Sequence, residues 1–353
     1  MKKRNKNNNE DESLAKFELA LKALKSPLPE MGVTRREAVW KKNKSTLWYY
    51  PPERKKYKVP VFLVYSLINT PVILDLGPGS SLIEHFVNEG FEVYLLDFGA
   101  PGYEDGDISL ETYIVDYIQV GVRRALRHSG AEEITVFGTC LGGTLAAMYA
   151  SIAEEPIKNL ILSTPPIDFS HTPEFDQWAE AIRTGEARFD EILDVIQTVP
   201  GAFVNEGISL LISPIHFSSY LSLISKADDP DYIDRWRRFN KWTEDHVSFT
   251  GAAMKQMLND LVKENKFIKR RLKIKNKKAE LANIKANLLV VAGKDDILIP
   301  EAMIKPVMTM VSSQDKTYKL LKGGHTTINI APRFPDYLAE WLPDRSTPIL
   351  KSR

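Results

Sequence analysis

The chain has 353 residues, of which 43% are hydrophobic and 26% charged, with a formal net charge of +1. That length accommodates one large domain with an insertion, or two domains, and the near-neutral balance excludes a global field directed at nucleic acid. One cysteine excludes an intramolecular disulfide and suits a reducing cytoplasm, no stretch approaches the roughly 20 apolar residues of a membrane span, and no apolar run follows the basic opening Met1-Lys2-Lys3-Arg4 as in a secretory signal.

Residues 1–11 are polar and low in complexity, and are expected to be without structure. Leu14, Phe17, Leu19, Leu21 and Leu24 stand among helix formers and predict a short amphipathic helix over 13–24, ended by Pro27, Pro29 and Gly32. Residues 33–58 read as a connecting arm whose Trp40, Trp48, Tyr49 and Tyr50 pack it onto the main domain. Strands are expected at Val59–Tyr65, Val72–Leu76, Phe91–Asp97, Ile134–Phe137 and Asn159–Ser163. Ser81-Leu82-Ile83-Glu84 is a capping box for a helix that Gly90 ends, and Ser109 caps a longer one to about His128. This alternation predicts a mostly parallel, doubly wound α/β sheet. The rhythm breaks near Pro165, residues 170–283 read as helical, and strands return at Ile284–Ala292 and Thr317–Leu321 before a final helix near Tyr337–Leu342. The domain plan is therefore a tail and arm over 1–58, a first core part over 59–169, a helical cap over 170–283 and a second core part over 284–353.

The chemistry centres on Gly138-Thr139-Cys140-Leu141-Gly142, between an apolar β-branched strand and an Ala-rich helix. This has the form of the nucleophile elbow of α/β-hydrolases, G-x-S-x-G, with Cys in place of Ser. Glycines flank the nucleophile because a Cβ there would collide with it or with the helix. The helix directs free N–H groups and its positive end at Cys140, which favours a thiolate. A cysteine nucleophile needs a base and an orienting acid, and in this fold they follow it in the order acid, then His. Lys294-Asp295-Asp296 follows one late strand, and Gly323-Gly324-His325 follows the other. The spacing to Pro300 selects Asp296 over Asp295. The oxyanion hole is expected from the backbone N–H of Leu141 and a second N–H at Leu67 or Ile68. A lone cysteine is usually a small buried hydrophobe, Asp-Asp before a proline is usually a turn, and His325 alone reads as a loop residue. The three together, in the required order, outweigh those readings.

His85, His128, His171, His216 and His246 lack such a setting, and His246 is the one to inspect for a substrate contact. The basic run Lys263–Lys278, with Glu264 as its one acid, reads as a solvated helix face or linker. Its functional reading is a surface for an acidic partner, a polymer inclusion or the phosphates of coenzyme A.

Tyr65-Ser66-Leu67-Ile68-Asn69-Thr70-Pro71-Val72-Ile73-Leu74-Asp75-Leu76, followed by Pro78-Gly79-Ser80-Ser81-Leu82, resembles the hallmark segment of polyhydroxyalkanoate synthases. The Cys140 elbow with its extra Gly143, and the Asp296 and His325 loops, fit the same family, and the short chain resembles its two-subunit kinds. One departure is Phe98, where Trp is common in the family. The resemblance implies polymerisation of (R)-3-hydroxyacyl-coenzyme A, 3-hydroxybutyryl-coenzyme A foremost, into a polyester. It implies an acyl-Cys140 intermediate, His325 as base with Asp296 beside it, and no metal or cofactor beyond the thioester substrate. It further implies a small second synthase subunit, a polyester granule surface in the cytoplasm, no nucleic acid, and room for a homodimer through the cap. The rival readings are a Cys-type thioesterase or polyester depolymerase of the same fold, and a non-catalytic scaffold of the granule surface.

Overall fold

The structure, a computed structural model, describes residues 2–170, 176–187, 189–326, 328, 330 and 333–349, with backbone only at 2–13, 176, 178 and 210–217. In chain order, helix α1 (Lys2–Lys25) precedes a hairpin of β1 (Glu37–Lys42) and β2 (Ser45–Tyr50). The alternation then runs β3 (Val61–Val64), α2 (Leu82–Asn88), β4 (Val93–Asp97) and α3 (Leu110–Thr112), which continues through a π-helical stretch, Tyr113–Gln119, into α4 (Val120–Ser129). Next come β5 (Ile134–Thr139), α5 (Leu141–Ile152) and β6 (Ile157–Ser163). Helices α6 (Asp176–Thr184), α7 (Asp190–Ile196), α8 (Gly201–Ser225) and α9 (Pro230–Glu244) follow, with a short pair of β7 (Thr198–Val199) and β8 (Phe249–Thr250). Helix α10 (Gly251–Gln256) runs into a π-helical stretch, Met257–Lys263, and then a small hairpin of β9 (Lys273–Ile274) and β10 (Lys277–Lys278). The chain returns to the sheet with β11 (Asn287–Gly293), α11 (Glu301–Ile304), α12 (Val307–Met310), β12 (Lys316–Leu321) and α13 (Asp336–Trp341).

The main sheet has eight strands in the order β1-β2-β4-β3-β5-β6-β11-β12. The six from β4 to β12 are parallel, whereas β1 and β2 pair antiparallel at one edge. The inner parallel strands are mostly apolar because both faces are covered, whereas the edge strand β12, with Lys316, Thr317 and Lys319, is partly exposed. Phe62 and Val64 of β3 enter one core cluster, Val61 and Leu63 the other. In β11, Leu288, Val290 and Ala292 face one way, and Leu289 and Val291 the other. This period-two division is what a strand's pleat imposes.

Several local expectations change. The polar residues before Ser13 continue α1 back to Lys2 instead of lying outside regular structure. The arm over 33–58 is not only a connection: β2 pairs residue for residue with β4, from Thr46↔Asp97 to Tyr50↔Val93, and Tyr49 stacks on Tyr94 at 5.0 Å. The segment expected as a strand at Val72–Leu76 is a 3₁₀ turn over Pro71–Leu74, which Pro71 opens by fixing its own φ. The Asp75 carboxylate then accepts from the Thr34 hydroxyl at 2.6 Å and the Ser81 hydroxyl at 2.6 Å, tying the turn down. Ser81 caps α2 by accepting from Glu84 N at 2.9 Å, while the Glu84 carboxylate takes Gly79 N, so only half of the expected box forms. The basic run forms neither a helix face nor a linker. Phe267, Leu272, Ile274 and Ala279 are buried in the core cluster beside α5, and the lysines face outward. Lys266 pairs with Asp260, Lys275 with Asp116 and Lys277 with Glu154.

Candidate active site

Cys140 sits between β5 and α5 with φ 55 and ψ −132, a backbone conformation strained for any side-chain-bearing residue. The turn is held by Cys140 N donating to Ser163 O at 2.9 Å and Gly143 N donating to Cys140 O at 2.8 Å. Its glycines are needed for space: a Cβ on Gly138 would lie 2.6 Å from Gly142 O, and one on Gly142 2.6 Å from Tyr65 O. Helix α5 opens at Leu141, whose N–H has no partner one turn earlier in the helix, so the positive end of the helix lies at Cys140.

The parallel register carries the other groups to the same sheet edge. Strands β11 and β12 pair from Leu288↔Lys316 to Gly293↔Leu321, so the loops bearing Asp296 and His325 emerge side by side. His325 Nδ1 lies 2.8 Å from Asp296 Oδ2. Asp296 Oδ1 accepts from Leu298 N at 3.0 Å and Ile299 N at 2.9 Å, which fixes the carboxylate's orientation. The neighbouring Asp295 has a different task, accepting from Gly323 N at 3.1 Å and bracing the histidine loop. Burial by itself would lower the His325 pKa. The negative charge at Cys140, together with hydrogen bonds to Asp296 and Cys140, outweighs it and raises the imidazole to about 10. The imidazolium form is therefore favoured next to the sulfur.

Strand β3 pairs with β5 up to Val64↔Gly138, so the following loop passes beside the elbow. Ile68 lines the Cys140 cavity, but its N–H donates to the Ser66 hydroxyl at 3.3 Å. The Leu67 N–H has no hydrogen bond among the described residues, and Leu67 lines an adjoining cavity.

Cys140, Asp296 and His325 share one chamber of about 340 Å³. Its far wall comes from Asn205 and Ile208 of α8, from Phe239 and Trp242 of α9, and from His246. The wall is tied to the loop after β3. Asn69 Nδ2 donates to Trp242 O at 3.2 Å, Trp242 Nε1 donates to Thr70 O at 2.9 Å, and Val247 N donates to Ile68 O at 3.3 Å. Asn69 and Trp242 were not legible as site residues. Their partners are more than 170 positions apart, and the one local signal is a polar Asn between an apolar strand and a Thr-Pro turn. His246 does line the chamber. Burial lowers its pKa, keeping the ring neutral, and its buried Nδ1 has no hydrogen-bond partner among the described residues. His85 and His128 are not among the lining residues, His128 instead bonding the Tyr94 hydroxyl at 2.8 Å. His171 and the His216 side chain lie outside the described residues. Phe98 lines the adjoining cavity and meets Tyr113 edge-on at 5.1 Å.

Residues 77–328 match the family model described as the alpha/beta hydrolase fold. The chain is 30% identical to the poly(3-hydroxyalkanoate) polymerase subunit PhaC of Haloferax mediterranei, a match covering 90% of this chain and 65% of that one. It thus spans about two thirds of that relative's length. It is 28% identical to the subunit of the same name from Thiocystis violacea, covering 90% of both chains, and 28% identical to that of Synechocystis sp., covering 90% and 86%. Among solved structures, the monoglyceride lipase of Saccharomyces cerevisiae is similar with a TM-score of 0.57 at 16% identity, covering 91% of this chain and 100% of that one. The monoacylglycerol lipase of Paleococcus ferrophilus is similar with a TM-score of 0.51 at 22% identity, covering 85% and 99%. At such identities the likeness is one of fold. The chain therefore belongs to the alpha/beta hydrolase fold family, and its likeness to polyhydroxyalkanoate synthase catalytic subunits, first carried by motifs, extends over nine tenths of its length.

Proposed function

We propose that the protein polymerises (R)-3-hydroxyacyl-coenzyme A, 3-hydroxybutyryl-coenzyme A foremost, into a polyester and releases coenzyme A. The observation that carries this reading is Cys140, His325 and Asp296 meeting in one chamber walled on its far side by α8 and α9. The names and coverage of the sequence relatives support the substrate class.

In this mechanism His325 takes the Cys140 proton and holds it while the sulfur attacks the thioester carbonyl. Asp296 orients the ring through Nδ1. The tetrahedral oxyanion is met by the Leu141 N–H and by the Leu67 N–H. Coenzyme A leaves with the proton from His325, and the acyl group stays on sulfur. Thioester exchange between two thiols is nearly balanced, so a cysteine carries the acyl group without a deep energy trap. His325 then takes the proton of the attacking 3-hydroxyl as the C–O ester bond forms and the C–S bond to Cys140 breaks, which returns the sulfur as a thiolate beside the imidazolium. Water attacking the same intermediate yields free acid, and the mostly apolar chamber beneath α8 and α9 disfavours it. A small second subunit and a polyester granule surface in the cytoplasm are the partners this reading calls for. The cap opens to admit substrate and let a chain leave.

The test is incubation with 3-hydroxybutyryl-coenzyme A, with and without a co-expressed small subunit. Coenzyme A release with insoluble polymer is expected. Soluble free acid alone would replace the synthase reading with a thioesterase. Cys140→Ser is expected to lose nearly all activity, because serine lacks the acidity and leaving ability of the thiol; full activity there would refute covalent thiol catalysis.

A further inference from the structure

The Cys140 chamber and a second cavity of about 260 Å³ share three residues, Tyr65, Ser66 and Asn69. Two of them are already occupied. The Ser66 hydroxyl accepts from Ile68 N at 3.3 Å. Asn69 donates to Trp242 O at 3.2 Å and accepts from Thr70 N at 2.7 Å. Tyr65 is different: it is 5% exposed, and its hydroxyl has no hydrogen bond among the described residues. Its ring is packed in the core cluster with Leu63, Ile73 and Leu74, where a phenylalanine would fill the same space. The hydroxyl is not sealed in the core but belongs to a residue that borders the chamber, and the packing of the ring alone gives no reason for tyrosine over phenylalanine here. A ligand that supplies the missing partner does.

The chamber also restricts what that ligand is. Among the described residues no lysine or arginine lines it, whereas Asp295 and Asp296 do. A carboxylate or phosphate entering it would meet like charge, while the one imidazolium in the lining, His325, is already paired with Asp296 and the sulfur of Cys140. The group that reaches Tyr65 is therefore an uncharged oxygen. Burial, and next the negative charge at Cys140, raise the Tyr65 pKa well above its ordinary value, so the phenol keeps its proton and remains a donor.

Resting on the thioester reading above, we propose that Tyr65 is a specificity-determining residue whose hydroxyl hydrogen-bonds the 3-oxygen of the acyl unit carried at Cys140. That oxygen is a hydroxyl in a newly loaded unit and an ester oxygen in a growing chain, and both accept a hydrogen bond. A butyryl group has no oxygen there and would leave the phenol unpartnered, so the site discriminates against it.

The test compares acylation of Cys140 in the full chain by 3-hydroxybutyryl-coenzyme A and by butyryl-coenzyme A. Intact mass reads the acyl-enzyme, and chromatography reads released coenzyme A. The wild type is expected to favour the hydroxyacyl thioester. Tyr65→Phe is expected to lose about tenfold on that substrate and to change little on butyryl-coenzyme A, as removal of one hydrogen bond predicts. An equal loss on both substrates, or no loss on either, would overturn the assignment. Where Tyr65→Phe does not fold, the wild-type comparison decides, since equal acylation by the two thioesters also overturns it. If neither thioester acylates the wild type, the thioester reading itself fails and the Tyr65 assignment falls with it, a result distinct from lost discrimination.

Discussion

Asp296 holds His325 with one carboxylate oxygen, at 2.8 Å from Nδ1, and receives two backbone N–H groups on the other, from Leu298 and Ile299. The two oxygens are thus not interchangeable, because the backbone donors fix which one faces the imidazole.

That asymmetry predicts the effect of Asp296→Asn. The amide oxygen must stay toward Leu298 N and Ile299 N, which places the amide nitrogen against His325 Nδ1. Two donors then face each other, and the ring turns or changes tautomer. Coenzyme A release is expected to fall by about a hundredfold to ten-thousandfold. Asp295→Asn, which loses only part of its bond to Gly323 N, is expected to keep kcat/KM within about tenfold of the wild type. Comparable losses in the two variants would argue that His325 is not oriented through Asp296.

The raised His325 pKa has a stability consequence of definite sign. A histidine whose folded pKa, about 10, exceeds its unfolded value favours the folded state while it is protonated. The contribution is fully present below about pH 6.5, the unfolded value, and is lost as pH rises through the folded value. Urea unfolding between pH 6.5 and 10 is therefore expected to show a steeper loss of stability for the wild type than for His325→Gln. Parallel curves would show that the imidazolium is not stabilised beside Cys140.

Two glycines in helices predict opposite outcomes on substitution by alanine. At Gly142 the new Cβ would lie 2.6 Å from Tyr65 O, a backbone atom of the neighbouring strand end that has no room to retreat. A destabilisation of about 1–3 kcal/mol is expected, with lost activity as the elbow shifts. At Gly207 in α8 a Cβ meets nothing within 4 Å. Gly207→Ala is expected to stabilise by about 0.5–1 kcal/mol, because alanine loses less backbone entropy in a helix. Thermal unfolding of the two variants checks both signs.

The sheet's parallel run was legible because its inner strands are local, mostly apolar segments that alternate with helical ones. The hairpin of β1 and β2 was not, although Trp48, Tyr49 and Tyr50 marked it as packed against the core. Its strand character depends on β4, which lies more than forty residues later in the chain. The basic run misled for a related reason. Its charges are conspicuous in sequence, but the apolar Phe267, Leu272 and Ile274 between them decide how it folds. Val72–Leu76 has a strand's composition, yet Pro71 and the bonds to Asp75 hold the segment as a tight turn.

By itself the sequence determined the chemical cast, namely Cys140 in a glycine-flanked elbow, then an acidic loop, then His325, in an order peculiar to this fold. These are short-range signals, because a strained turn or a strand end needs its special residues in immediate succession. The tertiary structure alone decided how Asp296 divides its two oxygens between His325 and the backbone, which face of the loop after β3 meets the chamber, and that Tyr65 borders it with no hydrogen bond to its hydroxyl among the described residues. Each of those depends on contacts between segments tens to hundreds of residues apart, and such contacts exist only once the sheet has set its register.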